Sequence, residues 1–171
     1  MNGMFYRAAT FNGTLDINLK NTGSLISTAG MFMEFTGDVK FTKFDTSEVR
    51  NMLVMFAGML CINSELDLSR LNTNNVVYMS YMFDSLSFGT RKIQAEVPTA
   101  SNNKSSFVST GSINLSNFKV FNCKYMNDMF ARLNNVKTLD LSSFTLCPYL
   151  QNAREMFYGS SLGTIYVDEE L

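Results

Sequence analysis

Met79-Ser80-Tyr81-Met82-Phe83 sets the period of this chain, because five close copies of it recur along the 171 residues. The intervals from one Met-Phe pair to the next are 27, 24, 27, 47 and 27 residues. A period in the twenties is typical of a solenoid, in which a unit too small to bury its own apolar face stacks on copies of itself. The other copies of the motif are Met1-Asn2-Gly3-Met4-Phe5, Thr28-Ala29-Gly30-Met31-Phe32, Met52-Leu53-Val54-Met55-Phe56, Met126-Asn127-Asp128-Met129-Phe130 and Ala153-Arg154-Glu155-Met156-Phe157.

Each copy of the motif is predicted to form a short helix. Apolar residues fall at i, i+3, i+6 and i+7, as in Val76, Met79, Met82 and Phe83. That spacing places one apolar stripe along a helix. A helix this short is marginal alone, so its stripe must pack against neighbouring copies. The structural core predicted on this basis includes Met52, Phe56, Met79, Phe83, Met126, Phe130 and Phe157.

An alternating tripeptide follows the motif in most copies, and its period of two predicts a strand with one buried face. Because a helix separates successive strands, we expect the strands to pair in parallel. The predicted architecture is α/β: a leucine-rich-repeat-type solenoid of about six repeats of 24–27 residues, with a parallel sheet on one face and short helices on the other. The tripeptides are Leu15-Asp16-Ile17, Val39-Lys40-Phe41, Leu66-Asp67-Leu68, Ile113-Asn114-Leu115, Leu139-Asp140-Leu141 and Ile165-Tyr166-Val167.

Two stretches carry a resemblance to a known family. Leu66-Asp67-Leu68-Ser69-Arg70-Leu71, followed by the motif at Met79, resembles the repeat of BspA-like leucine-rich-repeat surface proteins, a type abundant in mycoplasmas and in oral and gut bacteria. Thr138-Leu139-Asp140-Leu141-Ser142-Ser143-Phe144 resembles the same consensus. The resemblance implies an extracellular or cell-surface protein that acts in adhesion, with no catalytic residues to carry over.

Charge and composition disfavour several functions. Fourteen basic and fifteen acidic residues give a net charge of −1, and no basic block occurs, so nucleic acid is not an expected partner. The apolar runs are too short for membrane insertion. The chain has no histidine, no phosphate-binding loop and no zinc motif, so we predict a protein that is not an enzyme and uses no cofactor or metal. Of the three cysteines, Cys123 occupies an apolar slot of the repeat and is expected to be buried.

The outward positions of the strands form a column of candidate partner-binding residues. Its three carboxylates raise a calcium hypothesis, but Lys40 interrupts the column, and a plain solvated sheet face is the preferred interpretation. The column consists of Asp16, Lys40, Asp67, Asn114, Asp140 and Tyr166.

The 47-residue interval contains an insertion at about residues 88–111 within a single solenoid domain of residues 1–171. Two interpretations remain open. Either the insertion is a loop or hairpin that projects from the solenoid, or Ile93-Gln94-Ala95-Glu96-Val97 is a degenerate rung of the sheet. Insertions in repeat proteins often form the binding face, so Ile93, Glu96 and Lys104 are further candidate partner-binding residues.

Two functions remain as hypotheses. The first is a recognition or adhesion module that binds a protein or glycan partner through the outward sheet face or the insertion. The second is a structural subunit of a larger assembly, such as a decoration or adhesion component of a virion or surface appendage. In that assembly, the open N-terminal rung around Met4 and Phe5 would pack against a neighbouring subunit.

Overall fold

The computed structural model describes residues 1–8, 13–63, 65–89 and 110–168. Parallel pairing joins β1 to β2, β3 to β5, and β4, β6, β7 and β8 in one four-stranded sheet, so the predicted parallel solenoid is confirmed. No helix occurs in the described ranges, and so none that could span a membrane. The strands are β1 (Thr14–Asn18), β2 (Asp38–Lys43), β3 (Leu60–Cys61), β4 (Glu65–Asp67), β5 (Ser87–Phe88), β6 (Gly111–Asn114), β7 (Val136–Asp140) and β8 (Leu162–Tyr166).

The prediction of helices, and with it the α/β class, is wrong. The motif instead forms two successive tight turns: Met55 N donates to Met52 O at 3.2 Å, and Met59 N donates to Phe56 O at 3.1 Å. The third residue of each turn is left-handed, which an α-helix does not allow. The same two slots have positive φ in all six copies: Gly3, Gly30, Val54, Tyr81, Asp128 and Glu155 in the first turn, and Arg7, Glu34, Gly58, Ser85, Arg132 and Gly159 in the second.

The N–H groups of the motif bond to the next rung, and this is why turns replace the helix. Val54 N donates to Ser80 O at 3.2 Å, and Phe56 N donates to Met82 O at 2.9 Å. A helix would use these N–H groups within its own segment. In a series of tight turns, every third or fourth side chain points to the same side, as in a helix. The turns therefore bury the same side chains as the predicted helix. Met52 and Phe56, for example, are fully buried.

One phenylalanine from each motif contributes to a ladder that runs through all six rungs. Successive ring centroids are 5.4, 5.4, 5.6, 5.3 and 5.7 Å apart, and the interplanar angles do not exceed 8°. Offset stacking of this kind adds about 0.5–1.5 kcal/mol per pair beyond the burial of area. The phenylalanine ladder consists of Phe5, Phe32, Phe56, Phe83, Phe130 and Phe157.

The repeat continues directly across the 47-residue interval. Leu66 of β4 pairs with Ile113 of β6, and the Phe83 and Phe130 rings stack at 5.3 Å. Residues 90–109 lie outside the described part of the chain. The two interpretations of the insertion, including a rung at 93–97, therefore concern residues that the structure does not describe.

Polar side chains stabilise the turns that connect a strand to the next motif, which we call corners. Asp45 lies in one of these corners, where its Oδ1 accepts the N–H of Ser47 at 2.9 Å. The buried Thr46 hydroxyl donates to Asn72 O at 2.9 Å and accepts the N–H of Asn72 at 2.8 Å, so one side chain joins two rungs. A ring or leucine that follows β2, β4, β6 and β7 is buried at these corners, and these residues are Phe44, Leu71, Phe118 and Phe144.

A buried aspartate interrupts the sheet between the second and third rungs. β2 and β4 are not hydrogen-bonded neighbours in one sheet. At this seam Asp38, which is 7% exposed, accepts the N–H groups of Ile62 and Asn63, both at 2.9 Å, through one carboxylate oxygen. The carboxylate therefore takes the place of the backbone acceptors that a continuous sheet would supply.

Candidate recognition site

The predicted sheet-face residues lie on one face of the solenoid. Asp16 pairs with Lys40, Asp67 with Asn114, and Asp140 with Tyr166. Asn114 is half-buried, and the other five are exposed. Strand pairing does not join Lys40 to Asp67, because β2 and β4 are not hydrogen-bonded neighbours at the seam.

Three members of this column are engaged in their own corners. Asp67, Asn114 and Asp140 each accept the backbone N–H of the serine two residues later, at 3.0, 3.1 and 2.9 Å. The bonds from Ser142 hold the pKa of Asp140 below its ordinary value, because they stabilise the charged carboxylate. These side chains therefore have a structural role that explains the recurring Asp or Asn without a ligand.

The cysteines and carboxylates of the described residues offer little chemistry. Burial raises the pKa of the Cys123 thiol to about 12 and raises that of Cys61 still further, so neither is a thiolate at neutral pH. Within the described ranges, no group of three or more His, Cys, Asp or Glu residues is placed to hold a metal ion. The candidates of the insertion, Ile93, Glu96 and Lys104, lie outside those ranges.

A groove of about 360 Å³ lies on a different side of the solenoid, next to the bridge ladder that joins Asn51, Tyr78, Tyr125 and Asn152. Its volume is within the usual range of ligand pockets. We call it the lateral groove, and it is lined by Arg50, Asn75, Val77, Asn122, Lys124 and Tyr149.

Two tyrosines, Tyr78 and Tyr125, lie beside the lateral groove at the position directly before the motif. Two other rungs have Asn at this position, Asn51 and Asn152. In other rungs the side-chain oxygen of Asn51 accepts the N–H of Leu53 at 2.9 Å, and that of Asn152 accepts the N–H of Arg154 at 3.0 Å. Tyr78 and Tyr125 cannot make this bond. They stack on each other at 5.2 Å with an interplanar angle of 3°, and Tyr78 is 45% exposed.

A second aromatic pair borders the lateral groove. The rings of Phe121 and Tyr149 meet edge to face at 5.7 Å, and both side chains are about half exposed. In the repeat that leads into Phe56, the equivalent residues are Ser47 and Glu48. Sequence reasoning missed this surface, although a slot-by-slot alignment of the repeats reveals the aromatic substitutions.

Comparison with known proteins gives a family but no described activity. A family model described as "Mycoplasma protein of unknown function, DUF285" matches residues 1–114 and 102–164. No curated protein and no solved structure shows significant similarity to the chain.

Proposed function

The chain belongs to the DUF285 family of Mycoplasma proteins, and we propose that it acts as a non-enzymatic recognition module that binds a protein or glycan at a cell surface. The resemblance of its repeat to BspA-like surface proteins supports the adhesive role and the location. The observation on which the proposal depends is the aromatic border of the lateral groove, in which Tyr78, Phe121 and Tyr149 are exposed and the half-buried Tyr125 stacks on Tyr78. Exposed aromatic residues are enriched at binding surfaces.

Stacking of the repeat does not require these four aromatic residues. The interior is packed by the phenylalanine ladder and by buried aliphatic and methionine side chains. At the tyrosine slot, Asn51 and Asn152 serve the same rung-to-rung bridge with a small polar side chain and gain a local hydrogen bond. A tyrosine there forgoes a bond worth about 0.5–1.5 kcal/mol, although the two rings stack and the Tyr125 hydroxyl donates to Gln151 Oε1 at 2.6 Å. Because Tyr78 remains 45% exposed in spite of this stack, its ring offers apolar surface that a partner can cover.

The test uses the repeat's own residues. Replacing Tyr78 and Tyr125 together by Asn restores the side chain found in two other rungs, so the variant should still fold. It loses the ring stack and the hydrogen bond from Tyr125 to Gln151, so urea unfolding should show a loss of at most about 2 kcal/mol. We expect fluorescently labelled protein to bind animal cells in flow cytometry, and we expect the double variant to bind at least about tenfold more weakly.

Two control variants separate the alternative surfaces. Lys40→Ala tests the outward sheet face, and replacing Arg91 to Ser109 by a short turn tests the insertion. Both should retain binding if the lateral groove is the site. Full binding by the tyrosine variant would show that the groove is not the site, and whichever control variant then lost binding would identify the correct surface.

Assembly is a second candidate function, favoured by exposed apolar side chains on the outer rungs. Met4 is 53% exposed on the first rung, and Val167 is 59% exposed next to β8. If these surfaces contact subunits, sedimentation velocity should show concentration-dependent association that Met4→Asp abolishes. A chain that stays monomeric at all concentrations and yet binds cells would exclude self-assembly as its main role.

A further inference from the structure

Three groove residues occupy the same slot in three neighbouring rungs. Val77 N donates to Arg50 O at 2.9 Å, and Lys124 N donates to Val77 O at 3.0 Å. Neighbouring rungs of a parallel sheet lie about 4.8 Å apart, so the two cationic residues start about 10 Å apart along the solenoid. The lateral groove thus presents a cation, a neutral residue and a second cation at one-rung intervals.

Both cations are available to a ligand. The ion pairs among the described residues are Arg7–Glu34, Arg132–Asp84 and Arg154–Glu155, and none of them involves the lateral groove. Glu48, two residues before Arg50, makes no ion pair with it. A pair of unneutralised cations on one wall favours an anionic ligand.

The remaining lining residues suit hydroxyl groups and ring faces. The side-chain N–H of Asn75 donates to Ser47 O at 2.7 Å, and that of Asn122 donates to Asn74 O at 2.8 Å. These bonds fix both amides and leave each amide oxygen as an acceptor for a ligand hydroxyl. Tyr149 and the Tyr78–Tyr125 pair supply flat apolar surface at the border of the groove.

An extended peptide is a poorer match for this groove. A peptide strand binds by adding to a free sheet edge, but the backbone N–H groups of Arg50, Val77 and Lys124 already donate to the preceding rung. Recognition must therefore come from side chains. Cations, amide oxygens and aromatic rings together match an acidic carbohydrate.

We propose that the lateral groove binds a linear acidic polysaccharide that carries one anionic group per disaccharide. One sugar of an extended chain is close in length to one rung, so alternate sugars would meet alternate rungs, and their anionic groups would reach Arg50 and Lys124. The neutral sugar between them would lie over Val77. This inference rests on the proposed recognition function and names the ligand class for the same site.

Titration calorimetry with three probes tests the inference. The probes are hyaluronan oligosaccharides, which have one carboxylate per disaccharide, the same oligosaccharides with the carboxylates reduced to alcohols, and a polyglutamate peptide. We expect the first probe to bind, with an affinity that falls as salt is raised, and the other two to bind at least about tenfold more weakly. Equal binding of the reduced oligosaccharides or of polyglutamate would overturn the inference.

Charge variants locate the contact. Arg50→Gln and Lys124→Gln should each weaken hyaluronan binding at least about tenfold, as expected for the loss of a charge-assisted contact. Arg70→Gln and Lys137→Gln remove exposed cations that do not line the groove, so they should bind like the parent. Equal effects of all four substitutions would overturn the inference. Cell binding that depends on Tyr78 and Tyr125 without any hyaluronan binding would refute the ligand class and leave the proposed function standing.

Discussion

At the scale of single residues, left-handed backbone is the feature that distinguishes this repeat. Each copy needs two residues of positive φ, and only some copies place glycine there. Val54 has a φ of 50°, which is unfavourable for a β-branched side chain. The repeat tolerates this strain because hydrogen bonds to both neighbouring rungs hold the turn in place.

Val54→Asn should stabilise the protein by about 0.5–1 kcal/mol, because Asn adopts left-handed backbone more readily than Val. Leu53 is the matched control, since it lies in the same turn without positive φ, and Leu53→Asn should not stabilise the protein. The urea midpoints of the two variants provide the measurement. A loss of stability in Val54→Asn as large as in Leu53→Asn would contradict this account of the turn.

Asp140 makes part of the stability depend on pH. Its pKa is lowered from an ordinary value of 3.8 by hydrogen bonds from Ser142, so its contribution is present above 3.8 and is lost as the pH falls through the lower folded pKa. Asn114 makes the equivalent bond with a neutral amide at 3.1 Å. Asp140→Asn should therefore keep the corner and lose less stability on acidification. Urea midpoints above and below pH 3.8 measure the difference, and identical acid sensitivity of variant and parent would exclude this role.

At the scale of elements, the sequence predicts the positions of the strands correctly, but it does not predict the backbone conformation of the motif. The alternation around Asp67 and Asp140 identifies strands, because successive side chains of a strand point to opposite faces of the sheet. The motif was ambiguous, since a series of tight turns and a short helix bury the same apolar positions. Glycine at residues 3, 30 and 58 indicates left-handed backbone at these positions. Other copies have Tyr81 and Asp128 at the same type of position, so the glycine pattern is not regular enough to identify the turns.

Two substitutions of Asp38 should distinguish the contribution of its hydrogen bonds to stability from that of its negative charge. Asp38→Ala leaves two N–H groups without their acceptor and should cost about 1–3 kcal/mol. Asp38→Asn retains an oxygen that can accept both bonds, so it should cost clearly less. Chemical denaturation of both variants measures the costs. Equal losses of stability would mean that the negative charge, and not the two hydrogen bonds, holds the seam.

At the scale of the whole molecule, different residues serve the fold and the proposed recognition. Buried side chains hold the stacked rungs together, and exposed side chains form the proposed binding site. The interior repeats in the central rungs, so the period alone predicts its residues there, whereas Met4 is exposed and the predicted core residue Phe157 is only partly buried. The lateral groove and its aromatic border lie where rungs differ from one another, as at Arg50 and Lys124 in the groove and at Tyr78 beside it. A search for regular positions passes over such residues. These residues are close together only because their rungs are neighbours. The 47-residue interval makes it difficult to recognise from the sequence that the rungs of Tyr78 and Lys124 are adjacent.

Direct stacking of rungs across that interval is the central structural claim, and a double-mutant cycle between Phe83 and Phe130 tests it most directly. Substituting Leu at each position removes ring stacking and keeps an apolar side chain. Because the rings stack at 5.3 Å, we expect a coupling energy of about 0.5–1.5 kcal/mol in urea unfolding. Phe56 and Phe130 are two rungs apart, so their cycle should be additive within about 0.5 kcal/mol. Additive losses for Phe83 and Phe130 would show that the two rungs are not neighbours and would contradict the account.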